Sequence, residues 1–311
     1  MGALRLIGSR LAMALLTMWL LSSAVFLSLR LLPGDPAALV LGDLADEAER
    51  AALRRTLHLD EGLGQQYVRF AAGVVRGDVG SSLRQPGVTA FSRVRQALPP
   101  TARLAATAVG LGGLGGIAVA LLGVGPWLGR HRGMAETGAV IVGATPLLAL
   151  APVATYLLAV RWRLVPLPGD PAAGVAGLLF AAGLLALPLG AQVARVGRAA
   201  LLDLGRAQFL TVARAKGASP LRLWLLHALP AASAPLVAVL ATQLGALLGG
   251  AVVLERLFER PGLGTLLLEA YASRDLPVIE ATVVATGGLF VATQTAAAAL
   301  HALIDPRARA S

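Results

Sequence analysis

The stretch Gln208-Phe-Leu-Thr-Val-Ala-Arg-Ala-Lys-Gly-Ala-Ser-Pro-Leu-Arg222 follows Arg195-Val-Gly-Arg-Ala-Ala-Leu-Leu-Asp203 and lies between two apolar runs, 174–195 and 229–253. Each run is long enough to cross a bilayer, because about 20 residues rising 1.5 Å each cover a hydrocarbon layer ~30 Å thick. The stretch between them is long for a membrane loop and carries helix punctuation. Helix-forming residues precede Gly217, and Ser219-Pro220 places an N-cap serine before a proline at the first helical position. The spacing predicts two helices joined by a turn, which projects a short helix from the membrane surface. An ordered basic element held between two spans points to an all-α polytopic membrane protein.

Composition agrees. Of 311 residues, 56% are hydrophobic and 14% charged, and the mean hydropathy is +0.72. A soluble domain carries about 25% charged residues, and a disordered chain would be poor in apolar residues. Four further apolar runs, 11–29, 101–123, 135–160 and 278–303, bring the expected spans to six. The first has Arg5 and Arg10 before it and exceeds the ~7–15 residues of a signal-peptide core, so it is expected to remain as an anchor. The expected organisation is an N-terminus and first helix (1–30), an extramembrane insertion (31–97), a five-helix core (98–304) whose loop spans 196–228, and a tail (305–311). Within the insertion, Asp46-Glu47-Ala48-Glu49 opens a helix running to about His58, with Arg54 and Arg55 near its end as the helix dipole favours. Gly77, Asp78 and Gly80 mark a turn. Gly112, Gly113, Gly115 and Gly116, and the pair Gly245 and Gly249, are expected to let helices approach closely. Pro146, Pro152 and Pro188 are expected to kink their spans.

An even number of spans puts both termini on one side. On that side Arg5, Arg10, Arg130, Arg132, Arg195, Arg198, Arg206, Arg214, Lys216, Arg222, Arg307 and Arg309 outweigh Asp203 and Asp305. On the other side, in 31–97, 161–173 and 251–277, acids and bases balance. The positive-inside rule therefore places both termini in the cytoplasm. The net charge of +10 is accounted for by topology, with no nucleic-acid partner expected.

The chain is poor in chemistry. It has no cysteine, and His58, His131, His227 and His301 have no ligand-like spacing. A membrane-embedded enzyme would need clustered acids, histidines or serines. An ion-coupled transporter would need ionisable groups at mid-membrane, whereas Arg103, Glu136 and Glu280 lie near span ends and are expected to reach water or head groups. Lys216 is the sole lysine and Gly217-Ala218 follow it, so no phosphate-cradling P-loop is possible. Energy for uphill transport would have to come from another subunit.

The loop resembles the cytoplasmic motif of the membrane component of binding-protein-dependent ABC importers, in the dipeptide, oligopeptide and nickel branch. That motif runs Glu-Ala-Ala-x-x-x-Gly, nine residues, then Ile-x-Leu-Pro. Ala213, Gly217 and Leu229-Pro230 fit it, while Thr211, Val212 and His227 replace the glutamate, first alanine and isoleucine. Val212-Ala-Arg-Ala-Lys-Gly217 is similar to the string the peptide branch carries at this place. Arg30-Leu-Leu-Pro-Gly-Asp-Pro36, Gln66-Tyr67 through Arg76-Gly-Asp-Val-Gly-Ser-Ser-Leu83, Glu255-Arg-Leu-Phe-Glu-Arg-Pro-Gly-Leu-Gly264, Arg274-Asp-Leu-Pro277 and Asp305-Pro-Arg307 extend the likeness.

The resemblance implies a type I importer fold in the bacterial inner membrane and no catalytic role. It implies a second homologous permease, two cytoplasmic ATPases that bind ATP and Mg, an extracytoplasmic substrate-binding protein and the lipid bilayer as partners. This chain would hold no cofactor itself. The helix near 207–218 would dock into the ATPase. Ala213, Ala215, Gly217 and Ala218 would allow close approach, and Arg214 and Lys216 would be placed to meet acids there. The 31–97 insertion and loop 251–277 would face the binding protein. The implied solutes are peptides, nickel or metal chelates.

Overall fold

The computed structural model describes residues 2–31, 36–42, 46–125 and 132–304. Pro33, Gly34, Asp35, Arg130 and the 305–311 tail lie outside them. The described residues form helices, with no strand beyond a single bridge between Ser81 and Thr89. In order these are α1 (Gly2–Arg30), α2 (Pro36–Leu41), α3 (Glu47–Thr56), α4 (Leu63–Arg76), α5 (Ala90–Val124), α6 (Arg132–Ala144), α7 (Leu147–Thr155), α8 (Gly174–Leu204), α9 (Gln208–Ala215), α10 (Pro220–Arg222), α11 (Leu229–Ala231), α12 (Ser233–Leu257), α13 (Leu263–Ala272) and α14 (Leu276–Ile304).

Among the described residues four helices are long and apolar enough to cross a membrane alone: α1, α5, α8 and α14. The expected third and fifth spans are each a bent pair, which gives six spans if each pair counts as one. The third run, expected to be continuous over 135–160, bends by 106° between Thr137–Ala144 and Leu147–Arg161. Proline disfavours helical backbone at the residue before it, and Pro146 itself is extended at ψ 135°. A new helix therefore starts in a new direction. The fifth bends by 63° at Ala232, between Pro220–Ala231 and Ser233–Gly245. Ahead of Pro230 the backbone widens into a π-helical turn, Leu223–Ala228. Proline cannot donate to the carbonyl four residues back and its ring crowds that group, so a wider turn eases the strain. Pro152 and Pro188 lie inside α7 and α8.

The second span starts earlier than its hydropathy suggests. Helix α5 begins at Ala90, inside the expected insertion, and carries Pro99 and Pro100 within it. The helix expected from residue 46 is α3, and Asp46 proves to be its N-cap: its carboxylate accepts the Glu49 N–H at 2.6 Å. Gly77 ends α4 in the left-handed conformation (φ 72°).

The chain divides into two compact units. One comprises 1–7, 102–260 and 293–311, and its core centres on α8, whose Leu185, Leu189, Val193 and Leu201 are buried. Glycines set its packing. A Cβ on Gly116 of α5 would lie 2.6 Å from the Gly190 carbonyl of α8, so only glycine permits this approach. Gly115 meets open space, and so does Gly249 of the expected pair; Gly250 instead receives Leu185. The other unit comprises 8–101 and 261–292. There Phe26 of α1 stacks edge-on with Tyr67 and packs on Phe70 of α4, and Gly287 of α14 receives Leu21. The first N–H of α13 has no side-chain cap because Gly262 precedes it, and the Thr101 hydroxyl accepts that bond from Leu263 at 2.8 Å.

Candidate functional site

The loop expected over 196–228 is mostly helical. Helix α8 runs on to Leu204, so Arg195, Arg198 and Asp203 sit on a continuation of the span. Tight bonds from Gly205 N–H to Leu202 O (3.0 Å) and from Ala207 N–H to Leu204 O (2.8 Å) then reverse the chain into α9.

Helix α9 is anchored on one side. Leu210 is fully buried in the core of its unit, and Ala213, one turn on, packs against the same core. The expected site residues occupy its end. Ala215 is its last residue, Lys216 its C-cap, and Gly217 stands beyond at φ 82°. Gly217 N–H bonds to Arg214 O at 3.0 Å and Ala218 N–H to Ala213 O at 3.2 Å. This paired pattern closes a helix through a left-handed residue and satisfies its last carbonyls. Glycine is required at 217 by backbone conformation, since a Cβ there would meet no atom within 4 Å. Ser219 then caps the next helix, accepting the Arg222 N–H at 3.4 Å. All six expected residues thus cluster within one helix end and its turn. Arg214, Ala215, Lys216 and Gly217 are exposed, and Ala213 and Ala218 are half-buried. Neither Arg214 nor Lys216 has a charged partner among the described residues.

The expectation of small residues alone missed the apolar part of the outward face. Phe209 and Val212 are 45% and 52% exposed and lie one turn apart on α9, away from Leu210. The helical spacing contained this signal: 209 and 212 form one stripe and 210 and 213 another. This end of the molecule therefore presents a short rigid helix with two exposed apolar side chains and two free cations.

In the other unit, motif pieces far apart in sequence meet. Arg30, at the end of α1, forms an ion pair with Glu280 of α14, donates from Nε to Gln66 of α4 at 3.4 Å and lies 4.3 Å over the Phe26 ring. Glu280 is buried, contrary to the expectation that it reaches water or head groups; pairing with Arg30 makes its burial tolerable. Asp275, also buried, accepts the Ser82 hydroxyl and the Leu83 N–H, the latter at 3.1 Å. Ser82 in turn accepts the N–H groups of Arg84 and Gln85. These bonds pin the 80–86 loop to the α13–α14 turn. A cavity of 660 Å³ lies here, with Arg30, His58, Arg69, Asp78, Ser81 and Glu280 among apolar residues in its wall. No group of three or more potential metal ligands occurs among the described residues.

Comparison with known proteins matches residues 130–310 to the family described as binding-protein-dependent transport system inner membrane component. Residues 3–90 match the N-terminal region of membrane components of such systems. The chain is 32% identical over 310 residues to the probable peptide ABC transporter permease protein y4tP of Sinorhizobium fredii, covering 96% of this chain and 97% of that protein. It is 30% identical over 296 residues to the glutathione transport system permease protein GsiC of Escherichia coli strain K12, covering 94% and 95%. The GsiC of Shigella boydii matches equally.

Proposed function

The chain belongs to the inner membrane components of binding-protein-dependent transport systems, and from that premise we propose that it forms half of an ATP-driven import pathway for peptides. It is a multi-pass inner-membrane permease of the ABC importer type. The solute reading is supported by relatives named for peptide and glutathione transport. The partners proposed are a second permease, two cytoplasmic ATPases carrying ATP and Mg, and an extracytoplasmic binding protein. Both termini are cytoplasmic in this reading, supported by the charge balance of the loops.

The observation that carries the proposal is the build of α9. Leu210 roots it in the core, a left-handed Gly217 terminates it, and Phe209, Val212, Arg214 and Lys216 point away from the protein. A helix so held transmits force applied to its outer face into the spans that flank it. Apolar side chains suit a groove on the ATPase, and the two cations suit acids at its rim, as in charge-complementary interfaces generally.

Gly217→Val tests the coupling. A β-branched residue at φ 82° is strained, so the turn rearranges while the spans stay intact. In proteoliposomes the expected result is membrane insertion and ATP hydrolysis within about twofold of wild type, with uptake reduced at least about tenfold, the effect of a ~1.4 kcal/mol change in one equilibrium. Unchanged uptake per ATP hydrolysed contradicts the role of this turn.

A further inference from the structure

The 660 Å³ cavity lies within one unit of the fold and draws its wall from three separate stretches of sequence. The end of α1 supplies Arg30 and the start of α14 supplies Glu280. Between them in sequence, α4 supplies Gln66 and Arg69, and the loop after it supplies Asp78 and Ser81. The volume suits a small organic solute, since ligand pockets span about 300–1,000 Å³.

The polar groups of the wall are held in place. The Gln66 amide donates to Glu61 O at 2.9 Å, Arg69 donates from Nη2 to Glu61 Oε1 at 2.6 Å, and the Asp78 carboxylate accepts the Gly80 N–H at 3.0 Å. Arg30 is fixed by Glu280 and by the Phe26 ring. Such contacts set side-chain positions before a ligand arrives and so lower the cost of binding it. Helix α3 is different. It brings Leu53 and Thr56 to the wall, yet none of its ten residues is buried. A fixed polar wall combined with a lightly packed helix lets a solute enter and then be covered.

Charge selects the class of solute. Arg30 and Arg69 share the wall with Asp78 and Glu280, and Phe70 and Leu276 add apolar surface. A simple anion would meet the two carboxylates, a simple cation would meet the two guanidinium groups, and an apolar molecule would cover charges without pairing them. A solute carrying an ammonium, a carboxylate and apolar side chains matches all three kinds of surface. We propose that this cavity binds short zwitterionic peptides, with Asp78 taking the ammonium, Arg69 the carboxylate and the Ser81 hydroxyl a peptide group. The site rests on the peptide-import reading and its topology, in which the end of α1 and the start of α14 face the side from which solute arrives.

The test uses the assembled transporter in nanodiscs, without ATP or binding protein, and the photoreactive tripeptide Ala-photoleucine-Ala as probe. Illumination and peptide mapping are expected to place saturable labelling on 53–59 and 276–277, competed by trialanine. N-acetylated trialanine and C-amidated trialanine are each expected to compete at least about tenfold less well, the scale of one hydrogen bond to a charged group. Asp78→Asn, whose amide oxygen still accepts the Gly80 N–H, is expected to lose the preference for a free amine and keep that for a free carboxylate. Arg69→Gln is expected to do the reverse. Thr56→Trp, on the helix with no buried residue, is expected to abolish labelling, and co-purifying subunits report assembly of each variant. Uptake of the same probe into proteoliposomes with binding protein and ATP reads import separately. Uptake with no labelling of the cavity, equal competition by free and blocked peptides, end-group preferences unchanged in both charge variants, or full labelling of Thr56→Trp overturns the site and leaves import standing. Labelling without uptake overturns import and leaves the site.

Discussion

Single residues decide whether this membrane protein is rigid where it must be. Gly217 does so through its backbone, and Glu280 through its charge. Arg30 and Glu280 are 250 positions apart, so nothing local in the sequence links them. Glu280 reads as a span-end acid near water because no neighbour in sequence reveals its partner. Removing one member of a buried pair strands the other, at a cost of about 3 kcal/mol. Glu280→Gln is therefore expected to lower the thermal stability of the detergent-solubilised transporter markedly. Arg30→Met combined with Glu280→Leu is expected to recover most of the loss; a double variant as unstable as the single one would deny the pair its role. Gly217 and Ser219, by contrast, were legible, because helix ends are written locally in caps and left-handed glycines.

Among elements, hydropathy located the spans but not their breaks or extensions. Helix α8 continues nine residues past 195 to Leu204, because Val196, Gly197, Ala200 and Leu201 keep packing on that side while Arg195 and Arg198 lie on another. Pro146 reads as a kink in sequence, yet its extended backbone turns the third span through 106°; how far a chain turns at a proline depends on the packing beyond it. Glycine packing was legible in kind and only partly in place. Gly116 touches α8, whereas Gly115 and Gly249 meet open space, since periodicity alone does not say which helix face meets a neighbour. Gly116→Leu is expected to separate α5 from α8 and prevent assembly, measured as loss of co-purifying subunits; normal yield would show that the close approach is dispensable. Leu210→Ala removes the root of α9 and is expected to cost about 3 kcal/mol of local packing. That should show as faster amide exchange in 208–218 together with lower uptake per ATP, and unaltered exchange would mean α9 is held by something other than Leu210.

For the whole molecule, scarcity of chemistry was the most informative feature. A chain whose sole lysine is Lys216, followed by Gly217 and Ala218, cannot form a P-loop, which is why the proposed energy source is another subunit. In the proposed function, α9, a basic and outward-facing helix between spans, is where that energy would enter. The family matches cover residues 3–90 and 130–310, and they agree with motifs that were weak singly and strong in order. The solute was not legible, because a permease selects through assembled surfaces to which this chain contributes only part. The central claim is that 208–218 is the surface a cytoplasmic ATPase grips. Ala215→Cys gives the chain a unique thiol at the exposed end of α9. In the assembled transporter a short thiol-directed cross-linker is expected to join position 215 to an ATPase subunit, with a yield that changes when ATP is added. A thiol that remains freely labelled and joins no ATPase under either condition would contradict the account.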